Sequence, residues 1–283
     1  MCDWMKHMTE AMTNEISQSP AVNWFTQRYF WPMRNGKPKS NAQDELKTIK
    51  TFADLSEKLL KLLTQEHPDR ESLVKYVKDI VVKWGGVRSA PVDTFVDKIQ
   101  ECNNKIKNET FEIRECCITE ILNLVKNQNS SDATNKYRIP SWSKILAALA
   151  PGKLFIYDSR VALALSYFCL KNNISCFWRI PKGNEVAEEY RRGYGNFMSK
   201  YREKNLAGDR ADIPTCYFRY HQLLQELARN DTIKTAYGKL PQSIREAYNN
   251  VGIGNENDQT PAIMAHIEKM LFMMKEDILC LYQ

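Results

Sequence analysis

Apolar residues that recur at steps of three and four run through most of this chain, and this pattern constrains its fold more than any other feature. Side chains at these steps lie on one face of a helix. The clearest run predicts a helix that begins near Asn41 and ends before Pro68. It consists of Leu46, Ile49, Phe52, Leu55, Leu59, Leu60 and Leu63.

Similar patterns predict further helices along the rest of the chain. Their approximate ranges are 70–84, from 91 onward, 110–126, 159–170, 184–204, 214–229, 241–249 and 261–282. Residues 174–178 are short and apolar, and they can form one strand or an extended connector. The sequence therefore predicts an all-α fold.

The division into domains depends on two unusual segments. Residues 127–136 are polar and rich in helix breakers, which is typical of a domain boundary or of a surface loop. We predict helical subdomains at 41–127 and 128–283, which can also form one continuous domain. Residues 1–40 combine aromatic and basic side chains, which suit either contact with bases and phosphates or burial of the rings against the protein body.

The segment from Arg138 to Leu165 concentrates the residues that can carry chemistry. After Pro140, either Ser141 or Ser143 can cap a short apolar helix with Lys144 in its first turn. A Pro-Gly pair ends that helix, an apolar stretch at 154–157 favours extended backbone, and Asp158 is placed to cap the next helix. Charged residues inside an apolar run are candidates for perturbed ionisation and catalysis.

This segment resembles the helix-hairpin-helix DNA glycosylases, the superfamily that includes endonuclease III and the oxoguanine glycosylases. In that family a Leu-Pro-Gly-x-Gly-x-Lys hairpin opens a helix, and a Val-Asp-x-x-Val element follows. The corresponding residues here are Ile139-Pro140-Ser141-Trp142-Ser143-Lys144 and Tyr157-Asp158-Ser159-Arg160-Val161. Serines replace both hairpin glycines and the hairpin is one residue shorter, so the chain resembles a divergent member.

The resemblance implies two packed helical subdomains with a cleft between them, and an enzyme that flips a modified base from double-stranded DNA and hydrolyses its N-glycosidic bond. It gives Asp158 the role of stabilising the sugar cation or activating water. It gives Lys144 the role of the nucleophile that attacks the sugar and forms a Schiff base, which would add lyase activity to the enzyme. Ser141, Trp142 and Ser143 would contact DNA at the hairpin.

Two arginines are further candidates for contacts with nucleic acid. Arg160 can reach a phosphate or a flipped base, and it can equally pair with an acidic neighbour. Arg88 follows Gly85 and Gly86, which either let the backbone approach a phosphate or simply end a helix.

Each catalytic assignment has a structural alternative. Asp158 can serve only as a helix cap, and Lys144 can be solvated or bind a phosphate. The whole chain can then be a catalytically silent helical module for binding DNA or protein. Defence against phage with modified DNA is one setting for the enzymatic alternative.

Composition restricts the remaining classes of function. The 283 residues carry a net charge of +6, which permits a polyanionic partner. The four histidines and eight cysteines have no zinc, deaminase or iron–sulfur spacing, so we expect no metal and no cofactor. The first residues lack the basic and apolar regions of a signal peptide, and no apolar run reaches membrane-spanning length. We therefore expect reduced thiols, a cytoplasmic protein and no membrane partner.

Overall fold

The computed structural model describes residues 2–18, 42–63, 65, 68–84, 92–106, 110–126, 139–181, 191–205, 211–255 and 257–283. These residues form thirteen helical segments and no strand, which confirms the predicted all-α class. None of the described helices is both long and apolar enough to cross a membrane.

The helices of the first half are α1 (Asp3–Gln18), α2 (Ala42–Leu63), α3 (Arg70–Lys78), which continues as a π-helix (Asp79–Trp84), α4 (Val92–Lys105) and α5 (Thr110–Lys126). The helices of the second half are α6 (Ile139–Leu149), α7 (Ser159–Lys171), α8 (Arg191–Asn205), α9 (Ile213–Arg229), α10 (Asp231–Gly238), α11 (Gln242–Asn250) and α12 (Thr260–Leu281).

Most helices lie within a few residues of their predicted ranges. Neither α1 nor α10 was predicted from the sequence. Residues 174–178, expected as a strand or a connector, belong to neither a helix nor a strand. The aromatic residues between 24 and 31, the predicted linker at 127–136 and Arg88 lie outside the described residues.

The predicted start of α6 is wrong. The helix begins at Ile139, ahead of both expected caps, and Ser141 and Ser143 lie inside it, fully buried. Proline is tolerated in a first helical turn because its missing N–H has no partner there, so Pro140 lies within the helix rather than before it. Lys144 consequently lies in the second turn rather than the first.

α6 and α7 pack against different sets of helices. α6 contacts α2, α5 and the π-helix, whereas α7 contacts α1, α8 and above all α12. α12 also contacts α9 and α11. α6 therefore joins helices that the sequence had assigned to the other subdomain, and the subdomain boundary remains a prediction.

Candidate functional site

Asp158 lies at the start of α7, where the sequence placed it. Its Oδ1 accepts hydrogen bonds from the backbone N–H groups of Arg160 at 2.8 Å and of Val161 at 3.4 Å. These bonds satisfy two N–H groups that have no partner within the helix. The prediction that Asp158 caps this helix is therefore confirmed.

Lys144 reaches the same point from α6. Its Nζ lies 3.9 Å from Asp158 Oδ2 and donates a hydrogen bond of 2.9 Å to the carbonyl of Pro140. Only 1% of Lys144 and 6% of Asp158 is exposed. Burial lowers the pKa of Lys144 to about 8, although the Asp158 carboxylate acts in the opposite direction. The neutral form of this amine is therefore easier to reach near physiological pH than that of an ordinary lysine, although the protonated form still predominates.

Glu268 is a third member of this cluster, and the sequence analysis missed it. It projects from the middle of α12, and its Oε1 accepts a hydrogen bond from the N–H of Ile156. Burial, and to a smaller extent the nearby Asp158, raise the pKa of Glu268 to about 8, against the opposing influence of the Ile156 bond and of Lys144. The site therefore contains two carboxyl groups in different environments.

Three consecutive backbone N–H groups leading into Asp158 are held by side chains. Phe155 donates to Nε2 of His221 at 2.9 Å, Ile156 to Glu268, and Tyr157 to Oγ of Ser143 at 3.1 Å. These acceptors come from α9, α12 and α6. They replace the partners that a neighbouring strand would supply, so three helices fix the segment that positions Asp158.

His221 holds this segment only while it is neutral. Its Nδ1 lies 2.9 Å from the carbonyl of Tyr217 and donates to it, which leaves Nε2 as the acceptor for Phe155. Burial lowers the pKa of His221 to about 4, although the bond to Tyr217 raises it. A proton at Nε2 would break the bond to Phe155.

Replacing His221 by glutamine should flatten the acid dependence of stability. The pKa of His221 is lower in the folded protein, so its contribution is complete above about pH 6.5 and is lost as the pH falls toward 4. That loss should reach about 3 kcal/mol in the wild type near pH 4. Urea unfolding at several pH values measures it. His7→Gln, at an exposed histidine, serves as the control, and equal slopes in His221→Gln and wild type would contradict the assignment.

A pocket of about 70 Å³ adjoins the cluster. Glu268 and Lys269 are its charged lining residues, and its walls are largely apolar and aromatic. The rings that line it belong to Phe52, Phe155, Tyr248 and Phe272. Its size is well below the roughly 300–1,000 Å³ of typical ligand pockets.

A second pocket of about 470 Å³ shares two lining residues, Pro151 and Ile253, with the first. It lies between α2, α5 and the end of α11, and neither Lys144 nor Asp158 lines it. Its charged side chains are of both signs, namely Asp54, Glu57, Arg114 and Lys153. It is therefore separate from the cluster around Asp158.

The residues predicted to contact nucleic acid are placed differently from one another. Ser141 and Trp142 are fully buried, and the Trp142 ring packs edge-on against Phe95. Ser143 is buried as the acceptor for Tyr157. Arg160 is partly buried, and its guanidinium lies 5.9 Å from the centre of the Phe272 ring. Their contacts with DNA remain predictions.

Comparisons with known proteins give no relative: no family model, no curated protein and no solved structure matches this chain. Within the described residues, no group of three or more histidine, cysteine or acidic side chains is arranged to hold a metal ion.

Proposed function

We propose that this protein is a DNA glycosylase that flips a modified base out of double-stranded DNA and hydrolyses its N-glycosidic bond. The observation that carries the proposal is the meeting of Lys144 and Asp158, on successive helices, with Nζ and Oδ2 3.9 Å apart beside an aromatic pocket. A buried amine of lowered pKa next to a carboxyl group is typical of a catalytic site.

The chemistry of the reaction matches these two groups. Departure of the base leaves positive charge on the sugar, which the Asp158 carboxylate stabilises by electrostatic attraction. The neutral amine of Lys144 can attack C1′ of the sugar and form a Schiff base, which adds lyase activity. Alternatively, a water molecule attacks the sugar cation, and Lys144 acts only through its charge.

The pocket supplies a place for the flipped base. Its aromatic walls can stack on a planar ring, and its two charged residues can bond to the ring edges. Binding of the base must widen the pocket, as in enzymes whose sites are assembled by substrate binding. Defence against phage whose DNA contains modified bases is the setting we propose for this activity.

The purified protein should release a base from at least one duplex of a defined panel, in the absence of divalent metal. Each duplex of the panel carries a single hypoxanthine, 8-oxoguanine, uracil or 7-methylguanine. The abasic sites left by base release are detected as strand breaks after alkali. A nuclease would nick without alkali and only with metal. Intact strands throughout, at enzyme excess and with confirmed DNA binding, would contradict the proposal.

A second candidate is a catalytically silent helical module that binds DNA or protein. Two observations favour it: Asp158 already caps α7, and Lys144 already donates to the carbonyl of Pro140. Both residues then have structural roles alone. In the base-release assay this candidate binds its partner and leaves every duplex intact.

A further inference from the structure

Glu268 is the acidic group of the cluster that lines the pocket. Its Oε1 is occupied by the N–H of Ile156, and its Oε2 has no hydrogen-bond partner among the described residues. Asp158 is nearly fully buried and does not line the pocket. A base in the pocket would therefore meet Glu268 rather than Asp158.

The groups around Glu268 come from four elements. Asp158 precedes α7, Lys144 is on α6, Lys269 is on α12, and the buried rings of Tyr217 and Tyr220 are on α9. The two lysines favour the carboxylate and Asp158 opposes it, but burial is the largest influence and favours the protonated form. The hydroxyls of Tyr217 and Tyr220 are buried without a hydrogen-bond partner among the described residues.

Two carboxyl groups with different environments are the usual basis for dividing acid and electrostatic roles between residues. A neutral base is a poor leaving group because it departs with the electron pair of the broken bond. A proton delivered to a ring nitrogen removes that negative charge. The donor must lie on the base side of the bond, and the stabilising carboxylate must lie on the sugar side.

We propose that Glu268 is the general acid of the reaction, a role that rests on the proposed glycosylase function. The C1′–N bond breaks, its electron pair stays with the base, and the proton on Oε2 of Glu268 passes to a ring nitrogen. Asp158 faces the sugar cation, which takes up the hydroxyl of a water molecule. The remaining proton of that water returns to Glu268, so the net reaction is hydrolysis.

The first test is independent of activity. Carbon NMR of protein labelled at the glutamate carboxyl follows the titration of each group, and Glu268→Gln identifies the signal of Glu268. We expect a midpoint near pH 8 in the wild type, because the group retains its proton at neutral pH. A midpoint near 4.5, the ordinary value for glutamate, would overturn the proposal.

The second test uses base release from the neutral-base duplex of the panel that the wild type cleaves. Glutamine keeps an acceptor for Ile156 but supplies no proton, so Glu268→Gln should lower the rate by about a hundredfold or more. In the wild type, the rate of base release should fall above about pH 8 as Glu268 loses its proton. This fall should be absent in Glu268→Gln. Glu226→Gln, at a partly buried glutamate on α9 paired with Arg229, is the matched control and should retain both.

The outcomes separate the two proposals. A wild type that releases base, with an unchanged rate and pH profile in Glu268→Gln, overturns the acid role and leaves the glycosylase intact. A wild type that releases no base overturns both. 7-Methylguanine is already cationic and requires no acid to leave. If the wild type releases it, the rate should change less than about threefold in Glu268→Gln. A loss as large as for the neutral base would count against the acid role.

Discussion

Replacing Asp158 by asparagine should lower the rate of base release about a thousandfold while the protein still folds. Asparagine keeps a side-chain oxygen for the N–H groups of Arg160 and Val161, and the two residues rank alike as helix caps. The substitution removes the charge that we propose faces the sugar cation. A thousandfold loss corresponds to about 4 kcal/mol of transition-state stabilisation.

The variant should not leave a costly unpaired charge in the core. The pKa of Lys144 is already lowered to about 8, so Lys144 can lose its proton when its partner is gone. The measurement combines base release with a thermal melt and with DNA affinity. Asp212→Asn is the matched control, because Asp212 caps α9 by a 2.7 Å bond from Thr215 in the same manner. Full activity in Asp158→Asn would leave this residue with the role of a cap alone.

The sequence was a good guide to the helices because their apolar faces repeat with a clear period. The same signal was present but unused in α1, where Met5, Met8, Met12 and Ile16 follow one another at steps of three and four and are all buried. α10 has only Ile233 and Tyr237 as buried contacts. A helix of eight residues is too short to be identified from the spacing of its apolar residues.

The start of α6 illustrates a limit of local rules. Serine before an apolar helix predicts a cap, but Ser141 and Ser143 are buried inside α6, a helix that packs against α2 and α5. Ser143 then uses its hydroxyl to hold Tyr157 rather than its own helix. Tertiary contact overrides the local preference, and one sequence does not reveal that contact.

The candidate site was predictable in part. Lys144 and Asp158 are separated by one turn and one apolar stretch, so their proximity follows from the order of the elements. Glu268 and His221 lie far along the chain on helices whose ranges were predicted, α12 and α9. Their side chains meet residues 155 and 156 through the packing of these helices, for which the sequence contains no signal.

Lys144→Gln should abolish covalent trapping of the protein on DNA. If the Lys144 amine attacks C1′ after the base leaves, the resulting imine is reduced by borohydride to a stable secondary amine. The wild type should then give a crosslinked band with the duplex that it cleaves. Lys153→Gln, at the exposed lysine between α6 and residue 154, should crosslink as the wild type does.

The pH dependence of trapping adds a second and more specific criterion. Only the neutral amine attacks, and burial sets the pKa of Lys144 at about 8. On a duplex with a preformed abasic site, where no base has to leave, the initial rate of crosslinking should therefore rise about tenfold per pH unit below 8 and level off above it. An exposed lysine, with a pKa near 10.4, would still be rising at pH 9. Crosslinking that persists in Lys144→Gln would assign the attack to another amine. Base release by the wild type without any crosslink would identify water as the nucleophile and leave Lys144 only as a charge beside Asp158.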